Sequence, residues 1–173
     1  MRKVLLILGQ LTDSDADWLA ANGVLREISA NATLIEHGGR IDAVYFVLDG
    51  ELAVISPRGG VIARVSVGDV LGEMSLIDSQ PPSASVRATR NTRLLAIPKT
   101  LLADKLAGDD AFAARFYRAL AMFLAERMRN TISRLGFDGG DAEADSGELD
   151  EDVLDNVGQA GARFDRMLRR LQA

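Results

Sequence analysis

The sequence predicts a mainly β domain with flanking helices: a small antiparallel β-barrel or jelly roll, followed by a long helix and a C-terminal tail helix. Three observations predict it. Across residues 24–97, and most clearly in 45–55 and 61–67, apolar residues recur with a period of two, as side chains do when they alternate across a strand. Turn signals interrupt this stretch at roughly ten-residue intervals, as in folds made of many short strands. They are His37-Gly38-Gly39, Asp49-Gly50, Pro57-Arg58-Gly59-Gly60 and Val67-Gly68-Asp69. Beyond Pro98 the apolar period lengthens to that of a helix.

At the start of the chain, residues 1–9 are basic and then apolar, but the apolar run is short and leads directly into Gln10 and an acidic helix start. A packed N-terminal segment is expected, not a signal peptide. Thr12 is placed to cap a helix with Asp13 and Asp15 in its first turn, Trp18, Leu19 and Ala20 on its inner face, and Asn22-Gly23 at its end. After the strands, Leu101, Leu102 and Leu106 mark a short helix that breaks at Gly108. A long helix then runs over residues 109–135, with Phe112, Phe116, Leu120, Phe123, Leu124, Met128, Ile132 and Leu135 on one broad face. Residues 136–150 are acidic and glycine-rich and read as a flexible, self-repelling linker. In residues 151–173, Val153, Leu154, Val157, Ala160, Phe164, Met167, Leu168 and Leu171 recur at helical spacing, with Arg163, Arg166, Arg169 and Arg170 toward the back. That charge order suits the helix dipole without any further role. A lone helix of this length is marginal, so it should dock on its own domain, on a second copy or on another protein.

The run from Gly72 to Ala88 has the form of an anion cradle. A glycine-led short helix is followed by a loop of Pro82, Ser83, Ala84 and Ser85 that enters a strand. Free N–H groups at such a helix start bind phosphate oxygens. Glu73, at that start, could accept hydrogen bonds from sugar hydroxyls.

This run resembles the phosphate-binding cassette of the cyclic nucleotide-binding domain family, which includes the bacterial catabolite activator and the protein kinase A regulatory subunit. The family's form is Gly-Glu-Leu-x-Leu, a few residues, then Pro-Arg-x-Ala-Thr/Ser-Val. Gly72, Glu73, Leu76, Pro81, Ala84, Ser85 and Val86 match it, while the phosphate-pairing arginine falls on Pro82. Upstream, Asn31, Thr33, Leu34, Ile35 and Gly38, the segment from Tyr45 to Val54, and Gly68-Asp69-Val70-Leu71 follow the family's order and spacing. The similarity covers roughly residues 11–135, so residues 1–135 are expected to form one such domain with its N-terminal and long C-terminal helices.

The resemblance implies a site of Gly72, Glu73, Met74, Ser83, Ala84 and Ser85, with cAMP or cGMP as the ligand. Glu73 would take the ribose 2'-hydroxyl. The N–H groups of Ser83 and Ala84 and the Ser85 hydroxyl would face the phosphate. Pro82 offers neither charge nor N–H. Losing one charge-assisted hydrogen bond, about 1.5–3 kcal/mol, should weaken a cyclic nucleotide about ten- to over a hundredfold. Arg87 and Arg90 could reach the phosphate from the next strand, but read more simply as exposed charges.

Composition narrows the alternatives. The net charge is −5, and residues 138–155 hold 9 acidic groups and no basic one, whereas residues 1–137 carry 16 basic and 15 acidic groups. A near-neutral globular part lacks the basic face that DNA binding needs. No cysteine and a single histidine, His37 beside a turn, leave the usual nucleophile–base pairs without candidates. Asp141, Glu143 and Asp145 alternate like a calcium loop, but Ser146 and Asp152 stand where that loop needs glycine and glutamate. The expectation is therefore a non-enzymatic, cytoplasmic regulatory protein with no metal, no DNA partner and no membrane span. It would sense a small anion, form a homodimer through the long or tail helix, and signal through its C-terminal helices. The alternative is a ligand-independent oligomerisation or protein-interaction scaffold with a degenerate pocket.

Overall fold

The computed structural model describes residues 7–134 and 151–171. The predicted linker, with its calcium-like spacing, and Leu135 lie outside the described residues. Residues 7–10 are helical, and Ile7, Leu8 and Leu11 are buried. Helix α1 (Asp13–Asn22) opens with a complete capping box: the Thr12 hydroxyl accepts from the Asp15 N–H at 3.2 Å, and Asp15 Oδ2 accepts from the Thr12 N–H at 2.8 Å.

Eight strands follow: β1 (Val24–Ile28), β2 (Thr33–Ile35), β3 (Ala43–Asp49), β4 (Glu51–Ile55), β5 (Val61–Ser66), β6 (Val70–Leu71), β7 (Ser85–Ala88) and β8 (Thr92–Pro98). They pair antiparallel as two four-stranded sheets, in the orders β1-β8-β3-β6 and β2-β7-β4-β5. This is the jelly-roll form of the expected fold, with two sheets in place of one closed barrel. The β3–β4 turn depends on Gly50, at φ +103°, where a Cβ would come within 2.3 Å of Thr92 Oγ1.

One difference from the expected pattern is the strand β3. Val44, Phe46 and Leu48 pack with the helices, while Tyr45 and Val47 face the second sheet, so an unbroken apolar run replaces alternation. The domain is thus three layers: helices, first sheet, second sheet. The inter-sheet core contains Ile35, Leu52, Val54, Val65, Leu71, Val86 and Leu94.

One-turn helix α2 (Met74–Ile77) lies between β6 and β7, and α3 (Lys99–Gly108) leads into α4 (Asp110–Arg134). The apolar stripe of α4 divides along its length. Phe112, Phe116, Leu120 and Phe123 are buried, whereas Met128 and Ile132 are 64% and 42% exposed. Helix α5 (Glu151–Leu171) packs on α1. Its Ala160 and Met167 are buried in the helical core, and three of its four arginines, Arg163, Arg166 and Arg170, have partners that dipole reasoning did not supply. Arg163 donates to Asp13 Oδ1 at 2.7 Å and to the Leu8 carbonyl at 2.9 Å, and Arg166 donates to Asp17 Oδ2 at 2.6 Å.

Candidate ligand site

The turn before α2 requires its glycine. Gly72 adopts φ +81°, and a Cβ there would lie 2.6 Å from the Ala43 carbonyl oxygen. The next residue, Glu73, is thereby turned inward and is 2% exposed. Helix α2 has only four residues, so the dipole expected to favour an anion here is that of a single turn. The turn is held from outside by Lys99, whose Nζ donates to the Ser75 carbonyl at 2.6 Å and to Ser75 Oγ at 3.0 Å.

After α2 the chain crosses through Ser79, at φ +57°, and the stiff pair Pro81-Pro82. The following loop is tied to the β2–β3 turn: the Gly38 N–H donates to the Pro82 carbonyl at 2.8 Å, and the His37 N–H donates to Ser85 Oγ at 3.0 Å.

These segments enclose a hollow of about 220 Å³ at one end of the inter-sheet core. Ile35, Ile41, Val54, Leu71 and Val86 form its apolar floor and walls. Of the six residues expected at the site, Gly72, Glu73, Met74, Ser83 and Ala84 line it together. Ser85 is not among the lining residues, and its oxygen serves the His37 N–H. Pro82 lines the wall in the arginine's place. Arg87 and Arg90 are exposed and are not part of the lining. A broader, more polar groove of about 630 Å³ adjoins it, sharing Ile41, Ser75, Gln80, Pro81 and Pro82.

Among the lining residues that sequence reading did not place at the site, one comes from a distant helix. Arg127 reaches the hollow from α4, and its Nη1 donates to Glu73 Oε1 at 2.6 Å. Its guanidinium carbon sits 5.3 Å from the centre of the Phe123 ring. Only the long apolar stripe marked this helix in the sequence, and no local signal joins residues separated by 54 positions. Burial pushes the Glu73 carboxyl above the usual glutamate value. Arg127 and the residue's own N–H oppose that shift without overcoming it, and Asp69 adds to it.

Residues 25–109 match the family model described as cyclic nucleotide-binding domain. These residues belong to that family. The structure of a cyclic nucleotide-binding domain from Methylobacillus flagellatus superposes with a TM-score of 0.71 at 25% identity, covering 82% of this chain and 85% of that one. The Pycsar effector protein XpPycTIR of Xanthomonas perforans is 34% identical over 114 residues, which are 65% of this chain and 36% of that protein. An uncharacterized NTE family protein of Mycobacterium bovis is 29% identical over 120 residues, 69% of this chain. The matched region spans about a fifth (21%) of that relative's length. Among the described residues, no helix is long and apolar enough to cross a membrane.

Proposed function

We propose that the chain is a non-enzymatic regulatory protein whose cyclic nucleotide-binding domain takes a small anionic ligand in this hollow and signals through α4 and α5. The site would comprise Gly72, Glu73, Met74, Ser83 and Ala84, with Ser85 fixing the loop. One observation carries the reading: two separate segments, the turn at 72–74 and the loop at 83–84, converge on a single hollow that α4 reaches through Arg127. A ligand filling it would meet the strands and the long helix at once. The reading takes cAMP or cGMP as the ligand, which the family match supports, and a cytoplasmic setting, which the cysteine-free sequence suits. Thermal unfolding of the full chain with millimolar cAMP or cGMP tests this, because a ligand of the folded state raises the melting temperature. A rise with either is expected; no rise with both overturns the reading.

A second reading is a homodimer or partner-docking scaffold that needs no ligand. It is favoured by the uncovered end of α4, where Met128 and Ile132 are 64% and 42% exposed, and by Tyr117 nearer its start, which is 48% exposed. Light scattering would show a dimer that Met128→Glu dissociates, with or without nucleotide.

A further inference from the structure

We propose that Arg127, from helix α4, supplies the cation for a phosphate-bearing ligand in the hollow, in the role that Pro82 cannot fill. This rests on the ligand-binding reading above and adds to it the residue that selects for charge. The hollow's lining has three charged side chains, Glu73, Asp78 and Arg127, so Arg127 is its one cation among the described residues. Without it an anion would face two carboxylates. The other nearby positive charges are turned elsewhere: Lys99 is spent on Ser75, Arg40 in the adjoining groove is paired with Asp42, and Arg87 and Arg90 are exposed outside the lining. The loop tip cannot compensate through Pro82, which has no N–H and whose carbonyl already accepts from Gly38.

Arg127 is also suitably held. A guanidinium presents five N–H donors in a planar fork. Glu73 takes one at Nη1, and the head group is anchored beside Phe123, while the side chain as a whole lines the hollow and is 32% exposed. A phosphate can therefore be met by the remaining edge of the fork while Glu73 keeps the first N–H or turns its second oxygen to a ligand hydroxyl. The chemistry selects a ligand that carries a phosphate and a hydroxyl close together, and favours it over inorganic phosphate alone. It also moves the anion's seat from the loop to the long helix.

The test is titration calorimetry on the full chain with cAMP and cGMP, comparing wild type with Arg127→Met, Arg127→Lys and Pro82→Arg. Methionine retains an apolar stem, and circular dichroism with thermal melting checks that each variant is folded. Arg127→Met should weaken binding about ten- to a hundredfold, the worth of one charge-assisted hydrogen bond. Arg127→Lys, which keeps the charge but not the fork, should recover part of that loss. Binding to Arg127→Met that is unchanged or tighter overturns the inference and leaves the site reading standing. So does a wild type that fails to bind while Pro82→Arg binds, because Arg127 then does not replace the missing cation. If neither wild type nor Pro82→Arg binds either nucleotide, the ligand-binding reading fails and takes this inference with it.

Discussion

Helix α4 neutralises one buried carboxylate toward each of its ends, and the two surroundings have opposite effects. Toward the start, Arg115 grips Asp15 with two bonds, Nε to Oδ2 at 2.7 Å and Nη2 to Oδ1 at 3.0 Å, and the Thr12 N–H adds a third at 2.8 Å. Desolvation is the largest single influence on Asp15 and pushes its carboxyl up, but the bonds from Arg115 and Thr12 together outweigh it and hold the group below the usual range. Toward the far end, Glu73 is more fully enclosed by protein and accepts one bond from Arg127 and one from its own N–H, and burial wins. The difference lies in the depth at which each carboxylate sits together with the number of donors around it. Asp15 is held by three bonds from Arg115 and Thr12; Glu73 has one from Arg127 and one from its own N–H.

The contrast is broken most severely at its first member. Asp15→Ala leaves Arg115 without its partner and dismantles the capping box, and should cost about 3 kcal/mol of unfolding free energy in a urea titration. Glu73→Gln removes a carboxylate whose burial is poorly compensated, and should change stability by no more than about 1 kcal/mol. Equal losses in the two variants would abolish the distinction.

Next in size, Gly72→Ala forces a side chain into a left-handed turn and against the Ala43 carbonyl, costing about 2 kcal/mol. Because the strain falls beside Glu73, any nucleotide binding should weaken along with the melting temperature.

A smaller effect separates the two groups by pH. Asp15 holds its proton less tightly folded than unfolded. The stability it contributes is present above the ordinary aspartate value of about 3.9 and is lost as pH falls through its lower folded value. Glu73 holds its proton more tightly when folded. Its ionisation costs stability above the raised folded value, and this cost is relieved as pH falls toward the unfolded value of about 4.3. On acidification, the loss of unfolding free energy should be shallower than wild type in Asp15→Ala and steeper in Glu73→Gln.

The mildest test concerns the other side of α1, where Asp13 and Asp17 hold the arginines of α5. Arg163→Ala should speed amide exchange across residues 158–171 and leave that around Glu73 unchanged, with added salt mimicking part of the effect in wild type.

What the sequence made legible was local. Strand periodicity, the glycine turns, the Thr12 cap, the break at Gly108 and the run from Gly72 through Ala84 are all patterns within a few residues, and the structure contains each of them. The ion pairs were not legible, since Arg127–Glu73, Arg115–Asp15 and Arg163–Asp13 join positions 54, 100 and 150 residues apart. An arginine on a helix reads the same whether it meets water or a buried carboxylate. Likewise, the stripe on α4 looks continuous in sequence, although only its first half meets the domain. The domain boundaries at 135/136 and 150/151 remain expectations.

The bonds from His37 and Gly38 to Ser85 and Pro82 have a practical consequence for anyone altering this protein. The two turns are stitched edge to edge, so neither is an independent site for insertion. A residue added among positions 37–39 would unhook the far loop and reshape the mouth of the cavity without touching it. In homologous chains, length changes at these two places should therefore come in pairs, and a library that varies only one of them should yield mostly misshapen cavities.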